Sequence, residues 1–132
     1  MVNYLLADMV CRLKNAAKLF FNDVLILQNR ISYFSLFSLI DLGYVRSYHW
    51  FNFKFIKVYM FYRSKLSIIH QINIISRPSS RCYLRFWNFK GTRWHNFHIN
   101  GLFMFCSTSY KILTSTECCI LHIGGEPVFM TV

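Results

Sequence analysis

The chain has 132 residues, 55% of them hydrophobic and 19% aromatic, with fifteen Lys or Arg against five Asp or Glu and a formal net charge of +10. That length sets one domain, or two small ones that share a core. A surface so basic repels itself unless a polyanion neutralises it, so nucleic acid is the leading partner, ahead of an anionic membrane surface or a generally basic exterior.

Hydrophobic periodicity places the first helix over about Tyr4 to Ala17, with Leu5, Leu6, Met9, Val10, Leu13, Ala16 and Ala17 on its apolar face and Asn3 as its cap. "DVLILQN" follows as a short strand. "RISYFSLFSLIDLGY" is a second helix with Ile31, Phe34, Leu36, Phe37, Leu39, Ile40 and Leu42 as apolar positions and Gly43 as its stop. "YVRSYHWF" and "FKFIKVYMFY" have β-rich composition and are expected to be strands. In the second, Lys54 and Lys57 would fall on opposite faces, which spoils a one-sided pattern. "RSKLS", Arg63 to Ser67, is the best boundary, giving units 1–66 and 67–132.

"IIHQINIIS" is another strand, closed by the turn "RPSSR", where Pro78 blocks ladder pairing. "CYLRFW" is a short strand, "NFKGTRWHN" a loop around Gly91, and "GLFMFCSTS" a long strand. Thr114-Ser115-Thr116-Glu117 fits a capping box, followed by one or two helical turns that Gly124 and Gly125 end. "PVFMTV" is the final strand, with Pro127 at its first position. The fold class expected is α+β: a helix-strand-helix-strand-strand N-terminal unit and a β-rich C-terminal unit with one short helix.

A spanning helix needs about 20 apolar residues without charge. The longest charge-free stretch, Trp94 to Tyr110, contains His95, Asn96, His98, Asn100 and Gly101, so no membrane span is expected. Asp8, Arg12 and Lys14 interrupt the N-terminal apolar residues, against a cleavable signal. Five Cys in no paired pattern suggest a reducing compartment, and Cys11, Cys106 and Cys119 sit among apolar neighbours as buried thiols do.

Enzymatic signatures are weak. No G-x-S-x-G surrounds Ser107 or Ser109, no Gly-rich phosphate loop is present, and no Cys-x-x-Cys completes a zinc site around Cys118, Cys119 and His122. No catalysis, small-molecule substrate or cofactor is expected. The charge pattern points elsewhere. Between Asp41 and Glu117 there is no acid, while eleven Lys or Arg occur there. Arg77 to Trp94 holds five basic residues interleaved with Tyr83, Phe86, Trp87, Phe89 and Trp94. Cations neutralise phosphates and aromatic faces stack on unpaired bases. Phe86 and Phe89 are better read as core, whereas Arg77 and Arg81 flank the Pro turn and suit phosphate. The cluster Ser107-Thr108-Ser109 suits the shallow minor groove of A-form RNA, where short hydroxyls donate to and accept from 2′-hydroxyls. It is also what a plain polar turn would contain.

"LADMVCRLKNA", "ISRPSSRCY", "STSYKILT" and "GGE" before a final strand match, in order and across nearly the whole chain, motifs of the bacterial-type small-ribosomal-subunit protein S-eight family, which this chain resembles. The resemblance implies a two-domain protein, not an enzyme. It would bind small-subunit rRNA directly, help assemble the central domain of the subunit and touch neighbouring ribosomal proteins. It places the principal RNA-binding loop on Ser107, Thr108 and Ser109, the acid of the last motif on Glu126, the Pro turn on Arg77 and Pro78, and its following tyrosine on Tyr83. The chain departs from the family at Tyr110, where Lys is usual, and at Lys111, where Gly is usual; Lys111 would supply the displaced charge. Ser79 replaces Gly after Pro78, the basic surface of the last helix is missing, and the aromatic loop Phe86 to Trp94 would face a neighbouring protein. This drift, with the Phe-rich composition of an AT-rich coding genome, points to a mitochondrial ribosome ahead of a plastid or a bacterial cytoplasm. The rival class is a basic peripheral membrane or respiratory-complex subunit without RNA binding.

Overall fold

The computed structural model describes residues 4–87 and 103–131. The expected loop 88–96, with Phe89, Lys90, Arg93 and Trp94, and the expected cap Asn3 lie outside the described residues. The fold is mixed α+β, as expected, and divides into two compact units, Met1–Gln71 and Ile72–Val132.

In the first unit, α1 (Leu5–Leu19) buries Leu6, Met9, Val10, Leu13, Ala16 and Ala17 along one stripe, the face that the periodicity marked. It runs two residues beyond the expected end. Phe20, at φ 55°, stops it in the left-handed region and returns its N–H to the Ala16 carbonyl. On the polar side, Arg12 pairs with Asp8 at 2.8 Å and donates to the Leu25 carbonyl at 3.1 Å, tying the helix to β1 (Asp23–Leu27).

The second helix, α2 (Arg30–Asp41), corrects the expected face. Ser32, Ser35, Leu36 and Leu39 are buried, while Ile31, Phe37 and Leu42 are exposed. Small serines on the inner stripe allow close approach, and the Ser35 hydroxyl donates back to the Ile31 carbonyl at 2.7 Å instead of seeking water. Gly43 follows at φ 80°, where a Cβ would be strained. Strands β2 (Val45–Trp50) and β3 (Phe55–Met60) form an antiparallel hairpin, and β1 pairs with the other edge of β3, giving the order β1-β3-β2. The hairpin loop is closed by the Asn52 side chain, whose Oδ1 accepts from the N–H groups of Lys54 and Phe55, both at 2.9 Å. Because β3 begins at Phe55, Lys54 is outside it and Phe53 is fully exposed. The strand then alternates regularly, with Ile56, Val58 and Met60 inward. Arg63 to Ser67 forms a tight hairpin of β4 (Tyr62–Arg63) and β5 (Leu66–Ser67) within this unit, turned by Ser64 and Lys65 at positive φ.

The second unit is a four-stranded antiparallel sheet in the order β6-β9-β7-β8, from β6 (Ile72–Ile74), β7 (Phe103–Ser107), β8 (Ile112–Thr114) and β9 (Glu126–Thr131). Phe105 and Phe129 are register partners on the two middle strands, fully buried, with parallel rings 4.6 Å apart. The opposite face of β7 presents Met104 and Cys106, which cluster with Leu113 and Cys118 under Ile75, Leu84, Phe86 and Cys119. Phe86 is half-buried and packs against this cluster, in keeping with its reading as part of the core. "CYLRFW" is not a ladder strand; it contributes one bridge, Leu84 to Gly125.

Pro127 is the second residue of β9, not the first. The register slips opposite Phe105 and Cys106, so the proline sits at a bulge, where a missing N–H is tolerated in a central strand. The helix α3 (Ser115–Leu121) starts with the expected capping box: the Glu117 N–H donates to Thr114 Oγ1 and the Thr114 N–H to Glu117 Oε2 at 2.9 Å. It ends at His122, φ 55°, and not at the glycines. Among the thiols, Cys106 and Cys118 are buried, Cys119 is half-buried and Cys11 is exposed, contrary to expectation for Cys11. A hydrogen bond with Cys118 and burial both push the Cys106 thiol far up, so it stays neutral and inert.

Thr114→Ala should lower the stability of the chain by about 0.5–2 kcal/mol, read as a reduced urea midpoint, while Thr114→Ser should retain most of the cap.

Candidate nucleic-acid interface

The Ser107-Thr108-Ser109 cluster occupies the turn between β7 and β8. Thr108 is the residue that closes it. Its hydroxyl donates to the Lys111 carbonyl at 2.7 Å and accepts from the N–H groups of Tyr110 and Lys111, both at 3.3 Å. Its own N–H reaches the same carbonyl at 3.1 Å. One side chain thus satisfies most of the polar backbone of the turn, which no glycine or positive φ is needed to shape. The departures Tyr110 and Lys111 are accommodated for this reason. Ser107 and Ser109 flank Thr108, and their hydroxyls make no hydrogen bond to another of the described residues.

Ser107 lies beside the start of β9, paired with Glu126. The preceding glycines are required by backbone crowding. A Cβ on Gly125 would stand 2.6 Å from the Ser107 carbonyl and 3.2 Å from the Thr108 methyl, and one on Gly124 would stand 2.8 Å from the Leu84 carbonyl. Gly125 also exchanges both backbone hydrogen bonds with Leu84, each 2.9 Å.

Glu126 gathers the other elements. Its Oε1 accepts from Ser76 Oγ at 2.6 Å and from Arg81 Nη1 at 2.8 Å, and Ser76 Oγ in turn accepts from the Cys82 N–H at 3.2 Å. Ser76 is fully buried and the Glu126 carboxylate largely so. Burial opposes the charge on Glu126, but the two hydrogen bonds and the Arg81 guanidinium outweigh it and hold the carboxyl below its ordinary range. Between Ser76 and Arg81 the chain makes a two-residue turn over Pro78 and Ser79, closed by reciprocal bonds between Arg77 and Ser80 at 3.2 and 3.0 Å. Ser79 does not enter the left-handed region, so its replacement of Gly leaves the turn intact.

The structure therefore brings Ser107, Thr108, Glu126 and Arg81 into one constellation with Ser76, Leu84 and Gly125. Arg77, Ser109 and Lys111 lie on its exposed turns, and Tyr83 is 71% exposed on the segment between Arg81 and Leu84. Sequence reasoning missed the role of Ser76, because nothing distinguishes it from the turn serines that follow. The paired glycines were visible, but they signalled a helix stop when their use is a close approach of chains.

Electrostatically, both acids of this unit are used internally: Glu117 by its cap and Glu126 by Arg81. Arg77 and Lys111 are exposed and have no acidic partner among the described residues, and Arg85 lies over the Trp87 ring at 5.2 Å. No group of three metal-ligating side chains occurs among the described residues, and no described helix is long and apolar enough to cross a membrane.

A small basic α+β protein, four of whose five acids are engaged by its own side chains or a helix cap, with a hydroxyl-bearing hairpin at its surface, has the character of a component of a larger assembly. Residues 5–132 match the family Ribosomal protein S8, and the chain belongs to that family: it is a structural protein of the ribosome and not an enzyme. It is similar to small ribosomal subunit protein uS8 of Dictyoglomus thermophilum and to that of Dictyoglomus turgidum. Each is 29% identical over 129 residues, covering 95% of this chain and 94% of the relative.

Glu126→Gln should destabilise the chain by about 1–3 kcal/mol near neutral pH, where a charged hydrogen-bond partner is lost. Because the folded carboxyl titrates below its ordinary value of 4.5, its contribution is complete above that pH and is lost as pH falls through the lower folded value. The stability gap between wild type and variant, measured by denaturant unfolding, should accordingly be wide at pH 7 and close in acid.

Proposed function

We propose that the chain is a component of the small ribosomal subunit that binds small-subunit rRNA directly, through the turn Ser107 to Ser109, and supports assembly of the central domain of the subunit. The observation that carries this reading is the division of labour in the turn. Thr108 is spent on closing it, which leaves the hydroxyls of Ser107 and Ser109 available to a partner. Short hydroxyls on a rigid hairpin can approach the wide, shallow A-form minor groove and both donate to and accept from 2′-hydroxyls.

Arg77 and Lys111, charged and without acidic partners in the described structure, suit phosphates on either side. Arg81 and Glu126 serve chiefly by positioning: their ion pair holds the Pro78 turn beside Ser107, and Arg81 keeps part of its guanidinium exposed toward RNA. Tyr83 offers an exposed ring for stacking. Neighbouring ribosomal proteins are the further partners, with Trp87, half exposed at the start of the aromatic loop, facing one of them. The names of the relatives support placement in the small subunit. The relatives named are bacterial; the Phe-rich composition of this chain and its free thiols favour a mitochondrial ribosome.

The full chain should bind a small-subunit rRNA fragment tightly, with affinity falling linearly in log–log form as salt rises. The double variant Ser107→Ala, Ser109→Ala should weaken binding by about 1–3 kcal/mol if both hydroxyls become buried polar contacts. Unchanged affinity in a folded double variant removes the role given to this turn.

A further inference from the structure

In the first unit, the start of α2 and the end of β2 enclose an open cleft of about 280 Å³ lined by Gln28, Asn29, Arg30, Tyr33 and Trp50. This is near the lower bound of small-ligand sites, roughly 300–1,000 Å³, and suits one planar group better than an extended ligand. Its wall is aromatic and braced. The rings of Tyr33 and Trp50 lie 5.8 Å apart and nearly parallel, Tyr48 meets both edge-on, and the hydroxyl of Tyr48 donates to that of Tyr33 at 3.3 Å. Trp50 nevertheless remains 48% exposed. A core indole would be covered; this one presents a π-face held in a fixed orientation.

The rim of the cleft is polar and cationic. Arg30 is exposed and has no acidic partner among the described residues, and the Asn29 side chain does not cap α2. No acid stands in the first turn of α2, and two of the unit's three acids, Asp8 and Asp23, are engaged by Arg12 and Lys57. The Arg30 guanidinium lies 5.9 Å over the Phe34 ring and has no acid beside it. A planar π-surface, a guanidinium without a carboxylate partner and two carboxamides are the groups that take a base face, a phosphate and a base edge. We infer that the Tyr33–Trp50 cleft is a second RNA site, which receives one unpaired nucleotide with its base stacked on Trp50 and its phosphate on Arg30. This rests on the rRNA-binding reading above, and adds single-stranded RNA to its partners.

The test uses the full chain and fluorescein-labelled decauridine at low salt, followed by anisotropy. Trp50→Ala should weaken decauridine binding roughly 5- to 150-fold, the worth of one stacked base. Trp50→Phe should restore part of it, and Arg30→Gln should weaken binding without disturbing the aromatic wall. A decauridine carrying 5-bromouracil should crosslink to Trp50 or Tyr33. Decauridine affinity unchanged in folded Trp50→Ala and Arg30→Gln chains, with crosslinks elsewhere, overturns the site. So do crosslinks in the native particle that join residues 28–53 to another protein and not to RNA. If the chain still binds the rRNA fragment in a Ser107- and Ser109-dependent way, only this inference falls. If wild type binds neither RNA, the parent reading falls with it.

Discussion

One carboxylate oxygen organises the surface of the second unit. Oε1 of Glu126 accepts from a buried serine and an arginine that come from the same short segment, fifty and forty-five residues earlier in the chain. It ties both flanks of the turn over Pro78 to the start of β9, beside the Ile75 N–H bond to the Val128 carbonyl at 2.9 Å and the turn's own two backbone bonds. The same residue starts the central strand and stands opposite Ser107. Its position therefore sets the placement of two polar turns together. The arrangement tolerates burial because every part of it is charge-assisted or hydrogen-bonded.

Charge follows from the same economy. The chain carries few acids, and four of the five are committed to ion pairs or a helix cap: Asp8, Asp23, Glu117 and Glu126. Apart from Asp41, the charge left without an internal partner is positive. Such a surface costs the isolated protein self-repulsion and is relieved by a polyanion. The exposed aromatic residues of the first unit, Trp50, Phe51 and Phe53 among them, are unusual for a protein that functions alone and ordinary for one that is covered in an assembly.

Much of the fold was legible in the residues. The stripe of α1, the capping box at Thr114 and the stop at Gly43 are local devices, and each appears where its own short motif placed it. The errors share a cause: they concern tertiary choices that local pattern does not encode. Helix α2 has apolar residues all round, so periodicity could not show that Ser32 and Ser35, and not Ile31 or Phe37, face inward. Strand β8 has only three residues and offered no alternation to detect. The glycine pair was seen but misused, since close approach to Leu84 and Ser107 is a property of two chains meeting. At the candidate site, the hydroxyl cluster was visible, but its internal division was not. Only geometry shows that the middle residue turns inward to close the hairpin.

The order of strands in the second sheet has a consequence for biosynthesis. Strand β9 comes last in the sequence of that sheet yet lies between β6 and β7, pairing with both. The earlier strands of this sheet cannot complete their ladder while β9 is still unmade. The first unit, by contrast, has all of its pairings available once Ser67 has been synthesised. A nascent chain would thus carry one folded half and one waiting half, with the surface of the waiting half assembled only after β9 leaves the exit tunnel. The link that Glu126 makes between the two polar turns is therefore among the last features to form.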